Sequence, residues 1–428
     1  MDIHYWHMKH LFLFITSLLV YTLSMGQTAS NRNNLDIVKS VYLTPAGDEM
    51  GLPILHMRQY GDPTGQLLLR FDLLEEQPED LRYRFLHCNA EWKVDSIEMA
   101  DFFSGPNEMP ITNYQPSFTT LRNYSNYYQL LPDPNGYFLI SGNYILEVFP
   151  TDYPDSVLFS RRFVVCEDIA DINATVDKTT SGYGNINNDQ EVSISVTPQR
   201  NSFLLQQSSY YHVVVQQNRR EDLKRVMPFS NYSGESLVYR WKKENVFPGG
   251  NHFRYFDISN LRAAMYHVAR IEMLGNDVFA FLQPDDIRGR KAYTQYNSLN
   301  GGMKTNIRDR NNPHIESDYV WVNFSLPVER PFLDGNIYIV GDLTMWSLDD
   351  NSRMDWNQKY NAYTKRLLLK QGYYSYQLLF LPTNESEAET SRIEGDHAVM
   401  TNTYNIFVYY RAPGARYDRL VGFKTATR

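Results

Sequence analysis

The sequence predicts an all-β protein built of tandem β-sandwiches. Three observations predict it: apolar and polar residues alternate with period 2 along many short segments, turn-forming clusters separate those segments, and no long amphipathic helical pattern occurs. Leu67, Leu69, Phe71 and Leu73 share one strand face, with Arg70 and Asp72 on the other. Val192, Ile194 and Val196 alternate with Ser193, Ser195 and Thr197, and Val320, Val322 and Phe324 point inward from a third such run. Strands of this kind belong to antiparallel sheets with one buried face. Gly61-Asp62-Pro63, Asp133-Pro134-Asn135-Gly136 and Pro248-Gly249-Gly250 supply turns. Only short helical turns are expected, for example near 259–264.

The N-terminal element is a leader. Lys9 and His10 precede an apolar run over 11–23, and Ser24-Met25-Gly26 offers small residues for cleavage before Gln27. Residues 1–26 are therefore expected to be a signal peptide, too short in apolar length for a comfortable membrane span. With no cysteine beside the cleavage site, a lipid anchor is not expected, and no later run is long enough to span a bilayer.

Turn clusters and polar stretches then divide the 428 residues into three units. An N-terminal sandwich is expected over 34–166, a middle one over 172–305 and a C-terminal one over 314–428. The boundaries fall at the acidic stretch 167–171 and the polar segment 306–313. A short internal repeat links the first and last units. Ser141-Gly142-Asn143-Tyr144 and Gln371-Gly372-Tyr373-Tyr374 each place a turn glycine before a tyrosine-led strand. Cys88 and Cys166 both fall in strand patterns; the two readings are a disulfide, which an exported protein can keep, and a pair of buried thiols.

Composition narrows the function classes. A net charge of −8 and the lack of any dense Lys/Arg cluster argue against nucleic acid as a partner. The 32 tyrosines suit half-buried sheet and protein interfaces alike. His87 beside Cys88 has no companion ligands at metal-site spacing, and neither a Gly-x-Ser-x-Gly elbow nor a phosphate-cradling glycine loop is present. No catalytic, cofactor or metal site is expected, and the protein is read as non-enzymatic. Candidate partner-interface residues are Tyr124, Tyr127 and Tyr128, Tyr373, Tyr374 and Tyr376, and the Arg416/Arg419 pair.

One segment resembles the glycogen- and starch-binding sandwich modules. Ile337-Tyr338-Ile339-Val340-Gly341-Asp342-Leu343-Thr344-Met345-Trp346 followed by Gly372-Tyr373-Tyr374-Ser375-Tyr376 repeats their strand, Gly-Asp turn with tryptophan, and late tyrosine strand. The resemblance implies immunoglobulin-like/E-set sandwiches. It also supplies an alternative function, in which Trp346 and Trp356 stack on sugar rings in a carbohydrate-binding envelope protein.

A second resemblance spans nearly the whole chain. Tyr83-Arg84-Phe85-Leu86-His87-Cys88-Asn89-Ala90-Glu91-Trp92, Ser117-Phe118-Thr119-Thr120, Tyr124-Ser125-Asn126-Tyr127 and Ser141-Gly142-Asn143-Tyr144 lie in the first unit. Gly249-Gly250-Asn251-His252-Phe253-Arg254-Tyr255-Phe256-Asp257 lies in the second. Ile315-Glu316-Ser317-Asp318-Tyr319-Val320, Leu369-Lys370-Gln371-Gly372-Tyr373-Tyr374, Glu394-Gly395-Asp396-His397, Val408-Tyr409-Tyr410-Arg411 and Arg416-Tyr417-Asp418-Arg419-Leu420-Val421-Gly422 lie in the third. In this order they resemble the type IX secretion system plug proteins of Bacteroidetes, with His252 standing where an acidic residue is expected. The resemblance implies a periplasmic protein, peripheral to the inner face of the outer membrane. It would bind the giant outer-membrane β-barrel translocon as a monomer and seal it sterically between cargoes. A non-plug assembly factor of the secretion or gliding machinery is a further alternative.

Overall fold

The computed structural model describes residues 29–57, 65–75, 78–134, 136–200, 202–295 and 299–428. The 1–26 leader, the turn at 61–63 and Asn135 of the 133–136 turn lie outside the described residues. The chain forms an all-β assembly of paired, mainly antiparallel sheets, as its alternation predicts.

In the first sandwich one sheet runs Val38–Pro45, Leu67–Leu73, Ser125–Leu131, Tyr114–Pro116 in spatial order. The opposing sheet runs Arg32–Asn33, Phe159–Cys166, Gly142–Pro150, Leu81–Cys88, Met109–Ile111, and Ile54–His56 adds to it parallel to Phe159–Cys166. Leu67, Leu69, Phe71 and Leu73 all enter the core between them, against residues such as Phe85, Leu146 and Phe159. Asp72, on the opposite face, is fully buried as well. That burial is the first sign that another sandwich covers the outside of this sheet.

The other two sandwiches divide the chain differently from the expected 172–305 and 314–428. Ala170–Lys178, Asp189–Pro198, Ser236–Tyr239 and Asn231–Ser233 form one sheet of the middle sandwich. Its second sheet runs Lys224–Val226, Tyr211–Gln217, Thr403–Tyr410, Arg419–Thr427, so the last two strands of the chain return to it. Val213 pairs with Val408 and Val215 with Ile406, and all four are buried in one core. The third sandwich is inserted between. Val268–Leu274, Asp277–Leu282, Tyr319–Pro327, Ala362–Lys370 and Asp355–Asn357 face a sheet centred on Gly372–Pro382. Strand Asp277–Leu282, expected in the middle unit, lies parallel to Tyr319–Pro327 and shares its core. The segment 306–313 is an internal loop of this sandwich: Asn306 donates its N–H to Gln371 and Arg308 to Ser259.

Short helices occur at Met99–Phe102 and Pro313–Glu316, while 259–264 forms bends without a helix. The internal repeat has a structural counterpart. Gly142–Pro150 and Gly372–Pro382 are the strands around which their sheets assemble. Tyr144 donates its hydroxyl to the carbonyl of Ile140 at 2.7 Å, and Tyr374 donates to that of Lys370 at 2.5 Å, each four residues upstream. Both bonds pin the strand entry in the manner of a tyrosine corner. The two glycines serve different ends. Gly142 takes φ +141°, whereas a side chain at Gly372 would collide with the Lys304 carbonyl of the neighbouring strand.

Candidate functional site

The sandwiches meet at three polar joints, and these joints are where the sequence motifs converge. Between the first and third, Lys370 reaches across to Asp72 at 2.6 Å, with the two side chains 2% and 0% exposed. Tyr319 also donates to Asp72, at 2.6 Å, and Asn126 donates to its other oxygen at 2.6 Å. Tyr124 stands edge-on to Tyr319 with the Lys370 ammonium over its ring, and donates to the Ser317 carbonyl at 2.9 Å. Burial lowers the Lys370 pKa, and the carboxylate of Asp72 opposes that shift. Tyr42 hydrogen-bonds Thr305 across the same boundary.

Between the first and middle sandwiches, Tyr409 donates to Asn143 at 2.8 Å, and Asp418 accepts from the Ala90 N–H at 3.0 Å. Glu167 holds Arg419 through both carboxylate oxygens and accepts from Ser141 at 2.6 Å. Arg162 pairs with Glu221 at 2.6 Å while its guanidinium lies over Trp92. His87, from the sequence beside Cys88, is bonded to Asp95 at 2.5 Å and edges onto Tyr417.

Between the middle and third sandwiches, Gln190 donates to the carbonyls of Ala398 and Met400, and Arg219 pairs with Asp342 at 3.1 Å. Behind this joint lies a dense buried charge cluster. Arg254 contacts Glu394 and Asp285, both at 2.9 Å, and Arg288 also binds Glu394. Tyr376 donates to Asp285 at 2.8 Å and the Leu378 N–H to Glu394 at 2.7 Å. Burial would raise the Asp285 pKa, but Arg254, His267 and Tyr376 outweigh it and hold the carboxyl below its ordinary value. Every acid here is matched by a base and a hydrogen bond, the arrangement of a structural network.

The three joints surround a cavity of about 190 Å³ lined from all three sandwiches, by Tyr42, Trp92, Arg162, Val214, Arg219 and Trp346 among others.

The predicted interface residues are distributed unevenly. Tyr124, Tyr127, Tyr374 and Tyr376 are buried within the molecule. Tyr124 serves an internal joint, while Tyr127 donates to the Glu79 carbonyl inside the first sandwich. Burial raises the pKa of all four hydroxyls, as expected for phenols out of water. Tyr128 and Tyr373 are half-buried, Tyr128 beneath the Arg70 guanidinium. Arg419 is engaged with Glu167, and Arg416 is exposed beside Asp101 at 3.3 Å. Trp346 is only 7% exposed: it packs edge-on to Phe253 and donates to Asp342 at 2.6 Å, so its ring face is not open for sugar stacking. Trp356 is half-buried against Tyr363.

Cys88 and Cys166 are both buried free thiols. They end two strands of one sheet that are separated by Gly142–Pro150. Two strand spacings put them roughly 10 Å apart, beyond the Cα limit of about 7 Å for a bridge. Burial pushes the Cys88 thiol up to about 12. The reading as two buried thiols replaces the disulfide.

Fold and joints define an all-β, three-sandwich protein whose signature residues lock its own domains together. A family model described as Type 9 secretion system plug protein 1st domain matches residues 38–167, most of the first sandwich. The chain belongs to the type IX secretion system plug protein family and has a role in type IX secretion. Among solved structures, the crystal structure of a hypothetical protein from Parabacteroides merdae is similar throughout. It is 30% identical, with a TM-score of 0.88 over 93% of this chain and 99% of that one. A search of curated proteins finds no match.

Proposed function

We propose that the protein is a periplasmic plug subunit that docks on the inner mouth of the outer-membrane β-barrel translocon and closes it sterically while no cargo passes. The observation that carries this reading is membership of the plug family. The joints support it. A steric seal must keep its shape under load, and a buried pair such as Asp72–Lys370 at one joint, with the Arg254–Glu394 network behind another, favours one fixed arrangement of the three sandwiches. The all-β fold and the family speak for a structural rather than a catalytic role. No helix among the described residues is long and apolar enough to cross a membrane, in keeping with a peripheral location.

The test is a pull-down of the tagged protein from detergent-solubilised outer membranes, with mass spectrometry of what it retains. Recovery of a very large β-barrel protein in near-equal amount is the expected result. Recovery of other secretion components without any barrel overturns the plug reading in favour of an assembly factor.

A further inference from the structure

Outside the joints, one group of side chains brings together three different metal-ligating chemistries. Strand Ile54–His56 lies parallel to Phe159–Cys166, and His56 and Cys166 are partners in that register. Two residues beyond, Asp168 adopts φ +56°, a left-handed turn that aspartate tolerates, and this turns its carboxylate back onto the strand ends. His56 Nδ1 lies 2.6 Å from Asp168 Oδ2, and Cys166 Sγ lies 3.2 Å from Asp168 Oδ1. The imidazole nitrogen, the thiol sulfur and a carboxylate oxygen all lie within 4.8 Å of one another, the one such group among the described residues.

We propose that His56, Cys166 and Asp168 form a Zn²⁺ site. Bond lengths of about 2.0–2.3 Å to nitrogen, oxygen and sulfur set tetrahedral donors roughly 3.5 Å apart. Reaching that spacing asks for movements of about an ångström in the Asp168 carboxylate and the His56 ring, and both side chains are nearly half exposed (45% and 47%). A thiolate and an imidazole select a borderline-soft cation over Mg²⁺ or Ca²⁺, which prefer oxygen alone. On binding, the Cys166 thiol gives its proton to solvent, and thiolate, neutral imidazole and carboxylate hold the ion. His56 also lines a cleft of about 480 Å³, so a water can complete the fourth position from that side.

The position gives the ion a structural task. Met57 donates its N–H to the Cys166 carbonyl, and the following linker is stitched to the middle sandwich by Glu167 N–H to Leu420 and Ile169 N–H to Val421. A bound ion clamps the linker between the first two sandwiches where it leaves the last strand of the first.

The full mature chain, stripped with chelator, is titrated with Zn²⁺ alone against a chromophoric chelator, and separately with Co²⁺. One equivalent of Zn²⁺ is expected, with a thiolate-to-cobalt charge-transfer band and slowed reaction of Cys166 with a thiol reagent. His56→Ala and Asp168→Ala should each weaken binding by more than the roughly 10–100-fold that loss of an outer-shell partner costs. Cys166 is buried, so Cys166→Ser can fail to fold. The exposed His56 and Asp168 variants, checked by circular dichroism, therefore carry the test. Absence of stoichiometric uptake, or uptake unchanged in both variants, overturns the site and leaves Asp168 as a hydrogen-bond acceptor only.

Discussion

Lys370→Met removes the cation from a pair that is almost completely dry and keeps the aliphatic stem that packs between the sandwiches. The carboxylate of Asp72 then stays buried with two neutral donors, Tyr319 and Asn126, and no cation bonded to it, Arg70 acting on it only through space. Losing one member of a buried pair costs about 3–5 kcal/mol. The two surviving hydrogen bonds and the retained volume of methionine place this substitution near the lower end, about 3 kcal/mol. Equilibrium urea unfolding followed by tyrosine and tryptophan fluorescence measures it. Adding Asp72→Asn to the same chain removes the stranded charge and should restore about 1–3 kcal/mol, the coupling expected of residues in direct contact. A single variant within about 0.5 kcal/mol of the parent, the range of ordinary surface changes, would refute the claim that this pair locks the first sandwich to the third. A double variant no more stable than the single one would refute its electrostatic basis.

Other outcomes follow from the same structure. Tyr144→Phe and Tyr374→Phe should each lose about 0.5–1.5 kcal/mol, the net worth of one hydrogen bond; similar losses by thermal melting would support the repeat. Trp346→Ala, which empties the space against Phe253 and Gly301, should cost about 3–5 kcal/mol in urea unfolding, as removal of a buried aromatic does. Because the folded-state pKa of Asp285 is depressed, its contribution is present above the unfolded Asp value of about 3.9 and is lost as pH falls through the lower folded value. Acid titration of the urea midpoint should therefore drop more steeply below about pH 4 in the parent than in Asp285→Asn. A chain ending at residue 402 loses the two strands that complete the second sheet of the middle sandwich, and it should be recovered insoluble or give amide NMR signals without dispersion.

How much was legible in the sequence varied with the range of the interaction. Period-2 patterning such as Leu67 to Leu73 or Val192 to Val196 specified strands and their inward faces, because burial of alternate side chains is a local consequence of the pleat. The family motifs were also legible as a set. Their meaning was not: Arg254 and Glu394 read as separate motif letters, yet they are ion partners 140 positions apart. Four of the six candidate interface tyrosines, Tyr124, Tyr127, Tyr374 and Tyr376, turn out buried inside the molecule for a related reason. A tyrosine at the entry to a strand looks exposed until another sandwich covers it, as the third sandwich covers Tyr124.

The sequence by itself determined the all-β class, the strand faces, the two strands of the repeat and the family. Only the tertiary structure decided the domain boundaries, the free state of Cys88 and Cys166, and the meeting of His56 with Cys166 and Asp168. The physical reason is that strand order in a sheet is settled by which edges find partners. Tyr211–Gln217 finds its partner in Thr403–Tyr410, across an inserted sandwich. No local pattern encodes a pairing made over so long a stretch of chain; it is chosen when the buried faces of distant strands close one core.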